Sequence, residues 1–261
     1  MTLLAVRGLT RRFGGLTAVD DVSFDVHEGT ILAVIGPNGA GKSTAFNLLT
    51  GFDRPNAGTV EFDGVRLDRT PPHRIARLGI ARTFQNTQLF DEMTVEENVL
   101  VGAHVRTKTG FVAAALGLPR ARREEREVRE EAAHLLRLVS LDQHADTIAG
   151  DLPHGQRRLL EIARALAARP RLVLLDEPAA GLNTAETRQL AATLYRIRDR
   201  GITIVIVEHD MGLVMDVSDQ VIVLNEGRKI AEGPPRLIQK DPAVIEAYLG
   251  GEDADDSDAQ Y

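Results

Sequence analysis

The fold of this chain is decided by the stretch Gly36-Pro37-Asn38-Gly39-Ala40-Gly41-Lys42-Ser43-Thr44. It follows the apolar run Ile31–Ile35 and leads into residues 44–50, which predict a helix that ends at Gly51. A strand, a glycine-rich loop and a helix in this order are typical of a phosphate-binding loop. Glycines let consecutive backbone N–H groups surround a phosphate, and the helix adds its positive N-terminal end. The stretch therefore predicts a nucleotide site rather than a plain glycine turn.

Three side chains at the end of this loop have chemistry that suits a nucleoside triphosphate. Lys42 can reach the β- and γ-phosphates. The Ser43 hydroxyl is placed to ligate Mg²⁺, and Thr44 lies beside it for a phosphate oxygen. We therefore expect a nucleotide and Mg²⁺ to bind at residues 36–44.

Two adjacent carboxylates, Asp176 and Glu177, follow the apolar run Leu172–Leu175. Four apolar residues in a row suit a strand that is buried on both faces. Acids at the end of such a strand are costly unless they hold a cation or take part in catalysis. We expect Asp176 to bind Mg²⁺ through its water shell and Glu177 to polarise the attacking water. The alternative is a carboxylate pair that caps a helix.

Three single residues are further candidates, each with a structural alternative. His209 follows the apolar run 202–207 and could reach a γ-phosphate, or it could be structural. Phe13 is a lone aromatic in a polar turn, where an adenine could stack on it or from where it could fold back on the core. Gln85 ends a predicted strand ahead of the unusually apolar loop 87–93, for which core packing is one account.

A second possible anion site precedes a helix with one apolar face. The segment Leu152-Pro153-His154-Gly155-Gln156 leads into that helix, whose start presents free backbone N–H groups. Further along, Asn183 followed by Glu186 predicts a capping box at the start of the next helix.

Composition limits the classes of function. The 261 residues are 43% hydrophobic and contain no cysteine, which excludes disulfides and thiolate metal sites. We see no signal peptide and no apolar run of the roughly 18 residues that a membrane span needs, so we expect any membrane role to go through a partner. The net charge of the chain is −7, and five acidic residues lie in residues 251–261. This concentration of negative charge predicts a disordered acidic tail. The nearly neutral remainder argues against a nucleic-acid partner.

The order of these motifs resembles the nucleotide-binding subunit of ABC transporters over residues 3–250. The resemblance implies an α/β fold of the P-loop NTPase class, an ABC nucleotide-binding domain over residues 1–250. It would have a RecA-like core with a parallel sheet, a small antiparallel β subdomain and a helical subdomain at about residues 87–168. It also implies ATP as the nucleotide and ATP hydrolysis coupled to transport as the activity.

The resemblance gives roles to the remaining motifs. Phe13 becomes the adenine-stacking aromatic, and Gln85 senses Mg²⁺ and the membrane partner. The surface of residues 85–90 becomes the socket for a permease helix, in place of core packing. Residues 152–156 become the signature that completes the ATP site of a second subunit, residues 179–183 the loop that crosses the dimer interface, and His209 the switch histidine. The expected catalytic residues are Lys42, Glu177 and His209; the metal ligands are Ser43, Gln85 and Asp176; and the ATP ligands are Phe13, Gly36, Pro37, Asn38, Gly39, Ala40, Gly41, Lys42, Ser43, Thr44 and Gln85, with Leu152, Pro153, His154, Gly155 and Gln156 contributed in trans.

More narrowly, the chain looks like the ATP-binding subunit of the branched-chain amino acid uptake family. The residues that carry this likeness are Arg157-Arg158, Glu161–Leu166, Glu177–Asn183, Glu208–Met211 and Val244–Gly250. Two permease subunits, a second ATP-binding subunit (a copy or a paralogue) and, indirectly, a solute-binding protein are the implied partners. The implied location is the cytoplasmic face of the membrane, through the permeases. ATPases for urea or short amides, and for lipopolysaccharide export, are similar.

Two departures from the family pattern bear on turnover. The usual signature is Leu-Ser-Gly-Gly-Gln, whereas this chain has Pro153 in place of the Ser and His154 in place of the first Gly. Pro153 lacks both the hydroxyl and an N–H that could meet a γ-phosphate. Asn183 stands where many relatives have Asp. An ATP-binding module with little hydrolysis, acting as the regulatory half of a heterodimer, is therefore an alternative. A translation or repair protein usually needs two cassettes, and this chain has one set of motifs.

Overall fold

A computed structural model describes residues 1–85, 88–106 and 119–249 of the chain. The strands are β1 (Thr2–Phe13), β2 (Leu16–His27), β3 (Ile31–Ile35), β4 (Ala57–Phe62), β5 (Val65–Arg66), β6 (Ile80–Arg82), β7 (Leu172–Asp176), β8 (Thr203–Val207), β9 (Gln220–Asn225) and β10 (Arg228–Gly233). The helices are α1 (Lys42–Leu49), α2 (Pro72–Arg77), α3 (Val95–Ala103), α4 (Pro119–Leu138), α5 (His154–Leu166), α6 (Thr184–Arg198), α7 (Met211–Val217), α8 (Pro235–Ile238) and α9 (Pro242–Leu249).

The central sheet has the strand order β10-β9-β3-β8-β7-β6 and is parallel except for β10. Every residue of β3, β7 and β8 is buried, as their continuous apolar runs predict. Because the strands are parallel, their carboxyl ends meet at one edge of the sheet. The phosphate loop follows β3 there, Asp176 ends β7, and His209 follows β8.

The second sheet is antiparallel, with the order β2-β1-β4-β5. The sequence predicts a first strand at residues 3–8, but β1 continues to Phe13 because it stays paired with β2 up to the hairpin turn. Phe13 therefore ends a strand instead of lying within a turn. The hairpin of β4 and β5 turns at Asp63-Gly64, both with positive φ, as the Asp-Gly pair predicts.

Three helices, α3, α4 and α5, pack on one another beside the parallel sheet. Their contact buries apolar residues such as Val99, Leu136 and Leu160. The charged side chains of α4 from residue 123 onward are largely exposed, as the mixed signs of residues 122–127 predict for a solvated face. Exposed ion pairs join Arg129 to Glu125 at 3.1 Å and a second i,i+4 pair. The sequence predicts an irregular segment at residues 107–119, of which residues 107–118 lie outside the described residues and Pro119 begins α4.

The remaining helices begin where the sequence places their caps. Asn183 caps α6, and its capping box with Glu186 is present. The predicted helical tail, residues 234–250, is two helices because Pro242 disfavours a helical conformation at the preceding Asp241, which instead caps α9 through the N–H of Ala243. The acidic tail lies outside the described residues. No helix in the described part of the chain is long and apolar enough to cross a bilayer.

Candidate nucleotide site

The phosphate loop runs from the end of β3 to the first turn of α1, and all three of its glycines have the positive φ that other residues avoid. At two of them a Cβ would also clash with a backbone carbonyl. Gly36 has a φ of +148°, and a Cβ built on it would lie 2.0 Å from the carbonyl oxygen of Leu224. Gly41, which precedes α1, has a φ of +98°, and its Cβ would lie 2.3 Å from the carbonyl oxygen of Ala18. Both positions therefore require glycine, which fixes the path of the loop backbone.

Lys42 is the first residue of α1, and its side chain turns back into the loop. The ammonium group donates hydrogen bonds to the carbonyl oxygens of Gly36, at 2.8 Å, and Pro37, at 2.9 Å. Burial lowers the pKa of Lys42, while the nearby carboxylates of Glu177 and Asp176 act in the opposite direction. A largely desolvated cation beside two acids can bind the phosphates of a nucleotide.

Asp176 is held by Arg82, an arginine that no sequence motif contains. Arg82 of β6 forms a buried ion pair with Asp176 at 2.9 Å. The same guanidinium donates to the side-chain oxygen of Asn47 in α1 at 2.8 Å. Arg82 therefore joins the strand that ends in the acid to the helix that follows the phosphate loop. It uses one carboxylate oxygen of Asp176, Oδ2.

Glu177 lies directly after β7 in a strained conformation. Its φ of +48° is in the left-handed region that residues other than glycine rarely adopt. The side-chain amide of Gln85 donates a hydrogen bond to Oε2 of Glu177 at 2.9 Å. The structure thus brings together Lys42, Asp176, Glu177 and Gln85, four of the residues that the sequence singles out.

His209 lies beyond the end of β8, and its side chain is 62% exposed. Its position is set by Glu208, a fully buried acid whose carboxylate accepts hydrogen bonds from the N–H groups of Ala179, at 2.7 Å, and His209, at 3.1 Å. Burial raises the pKa of Glu208, and these N–H groups oppose the shift. Glu208 thus ties the segment after Glu177 to the segment of the candidate switch histidine.

Glu208 could have been singled out from the sequence. Glu208 follows the buried apolar residues 204–207, as Asp176 follows the apolar residues 172–175, so the same cost of a buried acid applies to it. Arg82 gave no comparable signal, because its partners Asp176 and Asn47 are distant in sequence.

Phe13 lies at the end of β1 and is 43% exposed. The guanidinium of Arg11 lies 4.4 Å from the centre of its ring. The ring is therefore neither folded back into the core nor free of contacts, and its exposed surface can receive a flat base.

We expect Phe13→Ala to weaken ATP binding about tenfold, because stacking of a base on an aromatic ring is worth about 1–3 kcal/mol. The measurement is the dissociation constant for ATP by titration calorimetry with the Glu177→Gln variant, which separates binding from turnover. Val65→Ala is the matched control, since Val65 is also 43% exposed and lies on another strand of the same sheet. An unchanged affinity for Phe13→Ala would contradict the stacking role.

The predicted signature segment, residues 152–156, lies against Gly181 of the predicted crossing loop and Glu186 of α6 in its own chain. A Cβ on Gly181 would lie 3.3 Å from the ring of His154, and one on Gly155 would lie 2.6 Å from the carboxylate of Glu186. Pro153 and His154 are exposed. Among the described residues, no hydrogen bond joins this segment to the phosphate loop. In the described part of the chain, the contacts of this segment are thus with residues 181 and 186 and not with the Lys42 site.

Comparison with known proteins identifies the family. The family model of the ABC transporter, ABC_tran, matches residues 19–180, which is more than half of the chain. The chain belongs to the ABC transporter family. It is an ATPase with the P-loop NTPase fold of ABC cassettes, as the motifs predict. A second family model, that of the branched-chain amino acid ATP-binding cassette transporter, matches residues 228–254 of this ABC ATPase.

Two curated relatives make the assignment narrower. The high-affinity branched-chain amino acid transport ATP-binding protein BraF of Pseudomonas aeruginosa is 50% identical over 95% of this chain and 98% of its own length. LivG of Escherichia coli (strain K12), which has the same description, is 46% identical with the same coverage. This ABC ATPase is therefore a member of the branched-chain amino acid transport ATP-binding proteins.

Two solved structures are similar to this ABC ATPase. The ADP conformation of an ATP-binding cassette of an ABC transporter has a TM-score of 0.84 and 34% identity, covering 96% of this chain and 99% of that one. A dimeric, post-hydrolysis cassette bound to ADP and Pi has a TM-score of 0.74 and 25% identity, covering 90% and 99%.

Proposed function

We propose that the chain is the ATP-hydrolysing motor subunit of an ABC importer that takes up branched-chain amino acids or related small solutes. The observation that carries the proposal is the identity of 46–50%, over nearly the whole chain, to proteins named for branched-chain amino acid transport. A lysine, two acids and a glutamine that converge at one edge of the parallel sheet support the hydrolytic part. This arrangement favours an active motor over a module that binds ATP without turnover.

We propose Mg²⁺ as the cofactor, held by Asp176, Ser43 and Gln85. Carboxylate, hydroxyl and amide oxygens are the ligands that Mg²⁺ takes, together with water and substrate phosphates. Among the described residues, no group of three or more His, Asp or Glu side chains could hold a metal alone. That finding fits an ion whose other ligands come from the nucleotide. When bound, Mg²⁺ neutralises charge on the phosphate oxygens.

Glu177 is the proposed base for hydrolysis. A water molecule attacks the γ-phosphorus, its proton passes to Glu177, and the bond from the γ-phosphorus to the bridging oxygen of ADP breaks. Gln85 orients the carboxylate through the 2.9 Å hydrogen bond, and Lys42 stabilises the charge on the transferred group. His209, on the neighbouring strand end, is the proposed contact for the γ-phosphate.

We propose that two ATP-binding subunits complete each other's sites. The exposed residues Pro153 and His154 lie at the start of α5, where backbone N–H groups and the helix dipole favour an anion. Since these residues do not reach the phosphate loop of their own chain, the γ-phosphate they would contact belongs to a second subunit. The dimeric form of a related cassette with ADP and Pi supports this arrangement.

An apolar groove is the proposed docking site for a permease helix. It has a volume of about 350 Å³ and lies between α2, α5 and the end of β6. Phe52 and Val105 line it and are 57% and 48% exposed. Phe84 packs edge-on against Phe52 at 5.7 Å and lies next to Gln85. A helix seated in the groove would thus contact the segment that reaches the catalytic carboxylate, at the cytoplasmic face of the membrane.

We expect Phe52→Glu and Val105→Glu to abolish assembly with permeases, because each places a charge in an apolar interface at a cost of several kcal/mol. ATP binding by the free subunit should be unchanged. Leu237→Glu is the control, since Leu237 is 66% exposed and lies on α8, outside the groove. The measurement is recovery of permeases with each tagged variant. Full recovery with both groove variants would place the docking site elsewhere.

The experiment that tests the proposed function is affinity purification of the tagged chain from detergent-solubilised native membranes, followed by mass spectrometry. We expect two permeases, a second ATP-binding subunit and, through the permeases, a solute-binding protein. Recovery of soluble proteins alone would contradict the transporter assignment.

A further inference from the structure

Arg158 and Glu161 form a buried ion pair on α5 that the proposed chemistry does not use. Their side chains are 6% and 3% exposed, and Nη1 lies 3.4 Å from Oε2. Burial of two charges costs several kcal/mol per ion unless other hydrogen bonds compensate. The other hydrogen bonds of the pair must therefore compensate this cost.

Those contacts converge on one backbone segment, Phe84–Gln85. The Arg158 guanidinium donates to the carbonyl oxygens of Phe84, at 3.2 Å, and Gln85, at 2.5 Å. The Glu161 carboxylate accepts a hydrogen bond from the N–H of Phe84 at 3.4 Å. Burial raises the pKa of Glu161, whereas the Phe84 N–H and the Arg158 charge act in the opposite direction. The pair thus binds both an N–H group and two carbonyl groups of this segment.

The segment leads directly to the catalytic carboxylate. Gln85, whose carbonyl Arg158 holds, uses its side chain to bind Glu177 at 2.9 Å. At its other end, α5 begins with His154 of the signature. A continuous set of contacts therefore runs from the signature helix through Arg158 and Gln85 to Glu177.

We propose that Arg158 and Glu161 are positioning residues that clamp Phe84–Gln85 to the signature helix, so that Glu177 follows the position of that helix. The inference rests on the proposed function and deepens it. When α5 closes on the nucleotide of a second subunit, the clamp moves Gln85 with it and sets the orientation of Glu177 in the clamp's own chain. Hydrolysis in the two sites is thereby linked through a buried, water-excluded contact.

A paired substitution tests the clamp. The double variant Arg158→Met/Glu161→Met replaces the pair by apolar side chains of similar length, a change that buried ion pairs often tolerate without loss of stability. The matched control is Arg157→Met on the same helix, because Arg157 pairs with Asp91 at 2.6 Å and the carbonyl of Ala149 instead. Two quantities are measured in the full transporter complex: hydrogen–deuterium exchange of a peptide covering residues 80–90, and kcat and KM for ATP.

We expect the double variant to raise exchange at the Phe84 amide roughly tenfold, since that N–H loses its acceptor. We expect kcat to fall roughly tenfold with KM for ATP nearly unchanged, because the loss acts on the transition state and not on nucleotide binding. Arg157→Met should change neither quantity. Wild-type exchange and kcat in the double variant would overturn the proposal.

A second variant tests the clamp if the double variant does not fold. Arg158→Lys keeps the charge next to Glu161, but one ammonium group cannot reproduce the fixed fork that bridges two carbonyls. It should give intermediate exchange and intermediate kcat, and wild-type values for both would overturn the clamp. If the unmodified complex does not hydrolyse ATP, the proposed function fails, whereas the exchange measurement still decides on the clamp.

Discussion

Glu177→Gln should lower ATP hydrolysis by two orders of magnitude or more while leaving ATP binding intact. A positioned general base contributes about 10²–10⁴ to a rate. The amide keeps the shape of the side chain and can keep a hydrogen bond to Gln85, which lies 2.9 Å from Oε2, but it cannot accept the proton of the attacking water. Lys42 and the phosphate loop are unchanged, so affinity for ATP should stay within about twofold of wild type.

The control for this prediction is Glu92→Gln, an exposed acid outside the site. Turnover is measured by phosphate release from the assembled complex, and affinity by titration with ATP. Because bound ATP persists in the Glu177→Gln variant, its cassette dimer should also outlast that of wild type. Wild-type turnover in the variant would exclude Glu177 as the base.

Lys42→Ala should strongly lower ATP hydrolysis and also weaken ATP binding. The ammonium group supplies the positive charge for the β- and γ-phosphates, and loss of one such electrostatic contact costs about 10²–10³ in rate. The change also removes the donor that binds the carbonyls of Gly36 and Pro37 in the phosphate loop. We therefore expect ATP affinity to fall at least roughly tenfold as well.

Lys42→Arg separates charge from shape. Its guanidinium keeps the charge, but it is planar and larger than an ammonium, so it should not fit between the two carbonyls, and activity should remain low. Lys240→Ala, an exposed lysine on the surface, is the control for loss of a positive charge. Rates near wild type for Lys42→Ala would contradict the assignment of the loop as the phosphate site.

Much of the fold follows from local sequence. The strand, glycine loop and helix around Gly36–Thr44, the buried strands β7 and β8 and the Asn183 capping box each depend on residues close in sequence. The extent of β1 does not, because it depends on pairing with β2 and β4. Pro242 indicates the break between α8 and α9, since a proline disfavours a helical conformation at the preceding residue.

The residues of the candidate site also differ in how far the sequence predicts them. Lys42, Asp176 and Glu177 stand in motifs whose spacing reveals their chemistry. Arg82 and Arg158 do not, because each acts on a partner that only folding brings near: Arg82 on Asp176, and Arg158 on the carbonyl of Gln85. An arginine in a mixed-charge sequence gives no sign of which carbonyl or acid it will meet. Such buried cations become visible only with three-dimensional contacts.

Uptake by the reconstituted complex tests the central claim most directly. This chain, the co-purified permeases and the co-purified second ATP-binding subunit are placed in liposomes with the solute-binding protein. Accumulation of radiolabelled leucine is followed with Mg²⁺ and ATP on the cassette side. We predict accumulation that requires ATP and is lost when Glu177→Gln replaces the wild-type chain. Hydrolysis of ATP without accumulation of leucine, isoleucine or valine, or accumulation that persists with Glu177→Gln, would contradict the account.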